Sequence, residues 1–77
     1  MRIKVWLYKF VSVLNTKTYK SSVELLSYYG FRFYKSYSSG HIEYEDFMLP
    51  NYKHCISHVS EFNSNYELIS EQWEVFY

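Results

Sequence analysis

A single cysteine is the feature that most limits how this chain of 77 residues can fold. Cys55 has no second thiol in the chain to pair with, so an internal disulfide is excluded. A chain this short buries only about 60% of its unfolded surface, and its stability is correspondingly marginal. The length supports one domain, residues 1–77, stabilised by its core. A lone cysteine is typical of the reducing cytoplasm, where we expect this protein.

Aromatic side chains are the means by which so short a chain can build a core. Phe, Tyr and Trp make up 23% of the residues, including ten Tyr. Each aromatic buries roughly 150–250 Å², and Tyr also keeps a polar tip for a half-wet surface. The composition therefore predicts a core that continues into a contact surface. The alternative is an AT-rich genome, which also explains the absence of Ala.

The charges are balanced, which argues against a nucleic-acid-coating protein. The net charge is zero and the isoelectric point is near 6.8, whereas nucleic-acid binders display a basic face. Basic residues concentrate in the first 35 positions and acidic residues from Glu43 onward, which is the charge distribution of a dipolar molecule. No stretch has the 18 or so apolar residues of a membrane span, and we expect no membrane partner.

The first half of the chain divides into a predicted strand and a predicted helix. Apolar residues from Ile3 to Leu14 occupy both faces at period two, which indicates a strand covered on both sides. A helix is expected from Tyr19 to Tyr29, because Ser21 and Glu24 have the spacing of a capping box. Gly30 follows where a left-handed helix stop is needed.

The second half has the pattern of a hairpin, a helix and a last strand. Residues 31–37 and 41–47 alternate around Gly40 as two antiparallel strands. Residues 50–62 are predicted to form a helix, since Pro50 suits a first turn and an apolar stripe follows at helical spacing: Tyr52, Cys55, Ile56, Val59 and Phe62. Residues 66–77 complete the pattern as a final strand.

This order of elements predicts an α+β domain with the ferredoxin-like split βαββαβ plan. Such a domain has a four-stranded antiparallel sheet with both helices on one face. The other sheet face is left uncovered, and uncovered aromatic faces usually contact something, often a second copy. We therefore expect a protein partner, with a homodimer through the open sheet face as one form of it.

Two groups of side chains have the residue types of metal or acid–base sites. Paired carboxylates can bind a divalent ion or imitate nucleic acid, but they also form solvated strand edges, which is the interpretation we favour for the acidic patch Glu43, Glu45 and Asp46. Helical spacing i, i+4, i+7 relates three further candidates, which could ligate a metal or form a solvated helix face: His54, His58 and Glu61. We favour the solvated face, and we expect no cofactor.

Residues 25–40 resemble two related families, through a Leu-Leu pair, Tyr-Gly-x-Arg, a Lys-Ser pair and a Gly-containing turn. These are the small ferredoxin-like subunit of the CRISPR spacer-integration complex and the virulence-associated protein D toxins. The resemblance covers about a fifth of the chain and implies a ferredoxin-like homodimer built by joining two sheets. Members active as nucleases place an Asp near the end of the first strand, often after a Tyr. Here Tyr8 is followed by Lys9, which argues against a nuclease of that type.

We therefore favour a non-enzymatic protein-interaction module, a small inhibitor or adaptor encoded by a phage or other mobile element. It would act on a host protein, of which a defence nuclease complex is one example. Aromatic residues on the hairpin and last strand are the candidate contacts, with plain packing as their alternative role: Tyr34, Tyr37, Tyr44 and Trp73. A dimeric metal-dependent ribonuclease or DNA-integration subunit is the second hypothesis. A metal-binding regulator that uses His54 and His58 is the third.

Overall fold

The computed structural model describes residues 3–51 and 54–76, with side chains from residue 5 onward in the first helix. Two helices come first, and four strands follow. They are α1 (Ile3–Leu14), α2 (Tyr19–Tyr28), β1 (Arg32–Ser39), β2 (Ile42–Met48), β3 (Cys55–Phe62) and β4 (Leu68–Phe76). Each strand pairs antiparallel with the next, in the spatial order β1-β2-β3-β4.

The predicted α+β class, a four-stranded antiparallel sheet with two helices on one face, is confirmed. The predicted order along the chain is not observed. A ferredoxin-like sheet alternates strands with helices, whereas here both helices precede an up-and-down sheet in which sequence neighbours are also spatial neighbours. Two segments account for the difference, because the first predicted strand is a helix and the second predicted helix is a strand.

Helix α1 occupies the segment that the period-two pattern assigned to a strand. Its buried residues are Leu7, Phe10, Val11 and Leu14, which have the i, i+3, i+4, i+7 spacing of a helix face. Lys9, which interrupted the strand pattern, lies on the exposed side of this helix. Packing against the sheet therefore outweighs the β-propensity of the valines and aromatics. Within the described part of the chain, neither helix is long and apolar enough to cross a membrane.

Helix α2 has well-defined ends, although its N-cap is not the predicted one. The hydroxyl of Thr18 accepts a hydrogen bond from the backbone N–H of Ser21 at 3.2 Å, so Thr18 is the N-cap and the predicted Ser21–Glu24 capping box does not form it. At the other end, Gly30 has φ 93° and its N–H bonds to Ser27. The N–H of Phe31 reaches back to Leu26, which completes a Schellman motif.

Strand β3 replaces the helix predicted over residues 50–62. It pairs along its length with β2 on one side and β4 on the other, so its backbone groups find partners on both sides. Ile56, Ser57 and His58 are consecutive and buried, as expected for a central strand covered from above and below. The apolar spacing of Cys55, Ile56 and Val59 fits a helix and a strand equally, and Tyr52 lies outside the described residues.

The core lies between the two helices and one face of the sheet. Trp6, Phe10 and Phe31 form a stack, with ring centroids 4.9 Å apart for Trp6 and Phe10 and 5.8 Å apart for Phe10 and Phe31. The buried Ser22 hydroxyl of α2 donates to the backbone carbonyl of Leu14 at 2.9 Å, which fastens one helix to the other. The sheet contributes three buried side chains to this core: Phe47, Ile56 and Trp73.

Candidate functional site

The sheet has one face covered by the helices and one face that carries no helix in the described part of the chain. Phe47, Ile56 and Trp73 belong to the covered face, because they pack with the buried helix residues. We call the other side the open face. The strand pairing aligns its residues in four rows across the sheet, and we call each row a level. From β1 to β4, the levels are Arg32, Met48, Cys55 and Phe76; Lys35, Asp46, Ser57 and Glu74; Tyr37, Tyr44, Val59 and Gln72; Ser39, Ile42, Glu61 and Ser70.

Four aromatic side chains, Tyr34, Tyr37, Tyr44 and Phe76, run from the β1 edge across the open face to β4, and we call them the aromatic strip. Tyr37 and Tyr44 stack with ring centroids 4.7 Å apart and an interplanar angle of 12°. Phe76 meets the Tyr44 ring edge-on at 6.2 Å. The ammonium of Lys35 lies 5.2 Å from the Tyr37 centroid and 5.6 Å from that of Tyr34, so cation–π contacts join these two rings.

Tyr37 and Tyr44 are held in place by the register of the hairpin. They lie directly opposite each other on β1 and β2, where cross-strand aromatic pairs stabilise a sheet. Tyr37 remains 44% exposed and Tyr34 62% exposed, so the strip presents ring surface to the outside. Burial, followed by the nearby Asp46 carboxylate, raises the pKa of the Tyr37 phenol.

A buried polar pair lies beside the aromatic strip. Asp46 is 5% exposed and Ser57 is fully buried, and the Ser57 hydroxyl donates a short hydrogen bond to the Asp46 carboxylate. Burial, followed by the charge of Asp46, raises the pKa of the neighbouring Cys55 thiol. A thiol held in its neutral form is a poor nucleophile and a poor metal ligand.

The charges of the open face are separated between its two sides. On β1 the charged residues are Arg32 and Lys35, and both are basic. On β4 the charged residues are Glu71 and Glu74, and both are acidic, with Glu74 on the open face. The open face therefore has a basic side at β1 and an acidic side at β4, with the Tyr37–Tyr44 pair between them.

A second feature, a polar pocket, lies on the covered side of the sheet beyond the core. Its volume is about 430 Å³. Its hydroxyl- and carboxylate-rich lining comes from the covered face of β1, β2 and β3: Ser36, Ser38, Glu43, Glu45, His58 and Ser60. Tyr37 and Tyr44, which alternate with these residues and belong to the open face, complete the lining. Two members of the predicted acidic patch, Glu43 and Glu45, are thus brought to the same pocket. The third, Asp46, points to the open face and is buried.

His58 lines this pocket and contacts side chains of β2, β4 and α2. Its Nδ1 lies 3.6 Å from a carboxylate oxygen of Glu45, and its Nε2 lies 3.3 Å from one of Glu71. The ring of Tyr19, at the start of α2, lies 4.8 Å from the His58 ring. Burial, and next a hydrogen bond to Glu45, raises the pKa of Tyr19 to about 12. The ring of Trp73 on β4 also lies 4.8 Å from the His58 ring, so the imidazole is held by contacts on several sides.

The metal hypothesis for His54, His58 and Glu61 depends on helical spacing, but residues 55–62 form strand β3. His54 precedes β3, and Glu61 and His58 lie on opposite faces of that strand. In a strand, with a rise of about 3.3 Å per residue, residues four positions apart, as His54 and His58 are, have Cα atoms about 13 Å apart. No group of three His, Cys, Asp or Glu side chains in residues 3–51 and 54–76 is arranged to hold a metal ion.

The predicted contact residues divide into two sets. The structure brings Tyr34, Tyr37 and Tyr44 into one aromatic strip. Trp73 is 4% exposed and packs in the core, so the folded domain cannot present it to a partner, which corrects its assignment. Phe76 takes its place on β4, and strand alternation is the signal that finds it, because a core-facing Trp73 puts residue 76 on the opposite face.

Residues 25–40, which carry the resemblance, form the end of α2, the Gly30 stop, strand β1 and its turn. Lys9 lies within α1, so the position compared with the acid of a first strand is helical here. No family model matches the chain, and neither a curated protein nor a solved structure matches it significantly. The resemblance therefore stays a prediction.

Proposed function

We propose that this chain is a non-enzymatic protein-interaction module that binds a protein partner through the open face. The aromatic strip is the observation that carries this proposal. Three of its rings are in contact, and Lys35 joins the fourth to them, on a face that carries no helix in the described part of the chain. Aromatic side chains supply large contact areas and dominate interface energetics. Their positions on paired strands fix them before binding, which lowers the entropy cost of association.

The charges favour a protein over a nucleic acid as the partner. Arg32 and Lys35 are offset on the same face by Glu61 and Glu74, and the whole chain has no net charge. Phosphate backbones require an excess of basic groups on the contact surface. Protein interfaces instead combine an aromatic centre with a mixed, polar rim, which is the distribution found on the open face.

Within this proposal, the composition supports a small inhibitor or adaptor encoded by a phage or other mobile element. The chain is short, contains ten Tyr and lacks Ala, as AT-rich genomes produce. Such a protein would act by covering a surface of a host protein. The homodimeric form of the interaction is compatible with the same face.

A capture experiment with matched tyrosine variants tests the proposal. The bait is the tagged chain, and Tyr37→Ser combined with Tyr44→Ser removes the stacked pair. Tyr28→Ser is the control, since Tyr28 is 82% exposed on α2 and lies away from the open face. We expect a protein, including the chain itself, to be retained by wild type and the Tyr28 variant and lost with the double variant. Equal retention by all three folded baits would contradict the proposal.

A further inference from the structure

We propose that the occupant of the open face is a second copy of this chain, packed face to face about a two-fold axis parallel to the strands. This inference rests on the proposed function and names the partner of the same surface. It follows from the levels at which the charges lie on the sheet.

Lys35 and Glu74 lie at one level of the open face, on the two edge strands. The pairing Lys35 to Asp46, Asp46 to Ser57 and Ser57 to Glu74 places them opposite each other across the sheet. Three strand spacings of about 4.8 Å separate them, so they are too far apart to pair within one copy. Lys35 contacts the Tyr34 and Tyr37 rings and Glu74 accepts a hydrogen bond from Gln72, but neither forms an ion pair with another described residue. An opposite charge for each can therefore come from a second molecule.

A two-fold axis parallel to the strands supplies those partners. It places β1 of one copy over β4 of the other and leaves every residue at its own level. Lys35 then faces Glu74 of the second copy, and Glu74 faces Lys35. An axis across the strands would instead place β1 over β1 and β4 over β4, which brings basic strand to basic strand and acidic strand to acidic strand and costs energy through like-charge repulsion. Charge complementarity thus selects one orientation.

The centre of such an interface is suited to burial. Tyr44 of one copy lies over Val59 of the other, and Met48 lies over Cys55, because the axis exchanges β2 with β3. Asp46 and Ser57 are already 5% and 0% exposed and bonded to each other, so covering them adds little desolvation cost. The charged pairs lie at the rim, where interfaces are polar.

The area that such a dimer would bury is small. Four strands of seven to nine residues give a face of about 500 Å² at ordinary strand spacing and rise. Two copies then bury on the order of 1,000 Å², at the small end of specific interfaces. We expect a dimer that dissociates on dilution through the micromolar range. A foreign protein that uses the same face must displace the second copy.

Charge reversal with complementation tests the orientation. Lys35→Glu and Glu74→Lys each place like charges opposite one another in their own homodimers, and each should weaken self-association at least about tenfold. An equimolar mixture of the two variants restores both opposite-charge pairs and should associate as wild type does. Lys9→Glu and Glu24→Lys are matched controls, because both residues are exposed on the helices. Sedimentation equilibrium over a dilution series gives the dissociation constants.

Each outcome decides the inference. A wild-type chain that stays monomeric at millimolar concentration overturns it, as does a dimer whose dissociation constant is unchanged by either reversal. If the chain is monomeric but the Tyr37/Tyr44 double variant loses a captured foreign protein, the inference fails and the proposed function stands. If the double variant self-associates as tightly as wild type and retains every captured protein, both fail.

Discussion

The side chain of Asn15 makes both of its hydrogen bonds to the backbone of Trp73. Its Nδ2 donates to the Trp73 carbonyl at 3.1 Å, and its Oδ1 accepts from the Trp73 N–H at 2.8 Å. The amide thus pairs with the outer edge of β4 as another strand residue would. Unpaired strand edges invite association with other chains. Asn15 therefore fastens the end of α1 to the sheet and blocks part of one edge.

Replacing Asn15 by Ala should destabilise the domain by about 1–2 kcal/mol, because two backbone groups of Trp73 lose their partner. Urea unfolding followed by tryptophan fluorescence gives the change in the free energy of unfolding. Asn65→Ala, in an exposed loop, is the control and should have little effect. A loss no larger than that of the control would show that water replaces the amide at no cost.

Gly30→Ala should destabilise the domain by about 1–2 kcal/mol through backbone strain alone. Gly30 has φ 93°, and an added Cβ would lie 3.7 Å from the Leu49 side chain, which is ordinary contact distance. Steric overlap is thus absent, and the left-handed conformation is the cause. Gly30→Asn should lose less, since Asn tolerates this conformation better. Equal losses in urea unfolding for Ala and Asn would argue against this explanation.

Stability should fall in alkaline solution partly because of Tyr19. Its pKa is raised from 10.0 to about 12 in the folded domain by burial and then by Glu45. The unfolded chain releases this proton first, so the free energy of unfolding decreases as the pH rises from about 10 to about 12. Tyr19→Phe removes this contribution, and its unfolding should depend less on pH in that window. Parallel pH dependences for the two proteins would contradict the assignment.

The Cys55 thiol should react slowly with a disulfide reagent at pH 8 in the folded domain. Its pKa is raised by burial and by the charge of Asp46, which lowers the fraction of thiolate. Asp46→Asn removes that charge while keeping an oxygen for the Ser57 hydrogen bond. We expect the reaction of the folded variant to be severalfold faster than that of wild type. An unchanged rate would indicate that access, rather than ionisation, limits the reaction.

The sequence predicts α2, the Gly30 stop and the β1–β2 hairpin because each has local punctuation in the chain. It does not decide α1 or β3, since their apolar residues fit both periods. Leu7, Phe10, Val11 and Leu14 match a helix face, but the same segment also alternates at period two. Packing of α1 against the sheet decides between helix and strand for this segment. That sheet includes β3, for which the sequence predicts a helix.

The sequence predicts only part of the open face, because an irregularity in β1 changes which side chains lie on it. Strict alternation places Phe33, Lys35 and Tyr37 on one side of β1, whereas an irregularity at Tyr34 moves Lys35 and Tyr37 to the side opposite Phe33. A single extra residue in a strand exchanges the faces of all that follow. The sequence predicts Tyr37 and Tyr44 as candidate contacts, but their stacking and the place of Lys35 between two rings depend on that irregularity.

Hydroxyl-radical footprinting, read out by mass spectrometry, tests most directly that the open face is the binding surface. The chain would be oxidised at low and high concentration, and also with any captured partner. Tyr34, Tyr37 and Tyr44 should lose reactivity together when the face is covered. Tyr28 and Tyr66, which are 82% and 72% exposed elsewhere, should keep theirs and serve as internal controls. Protection of Tyr28 or Tyr66 with an unchanged aromatic strip would contradict the account.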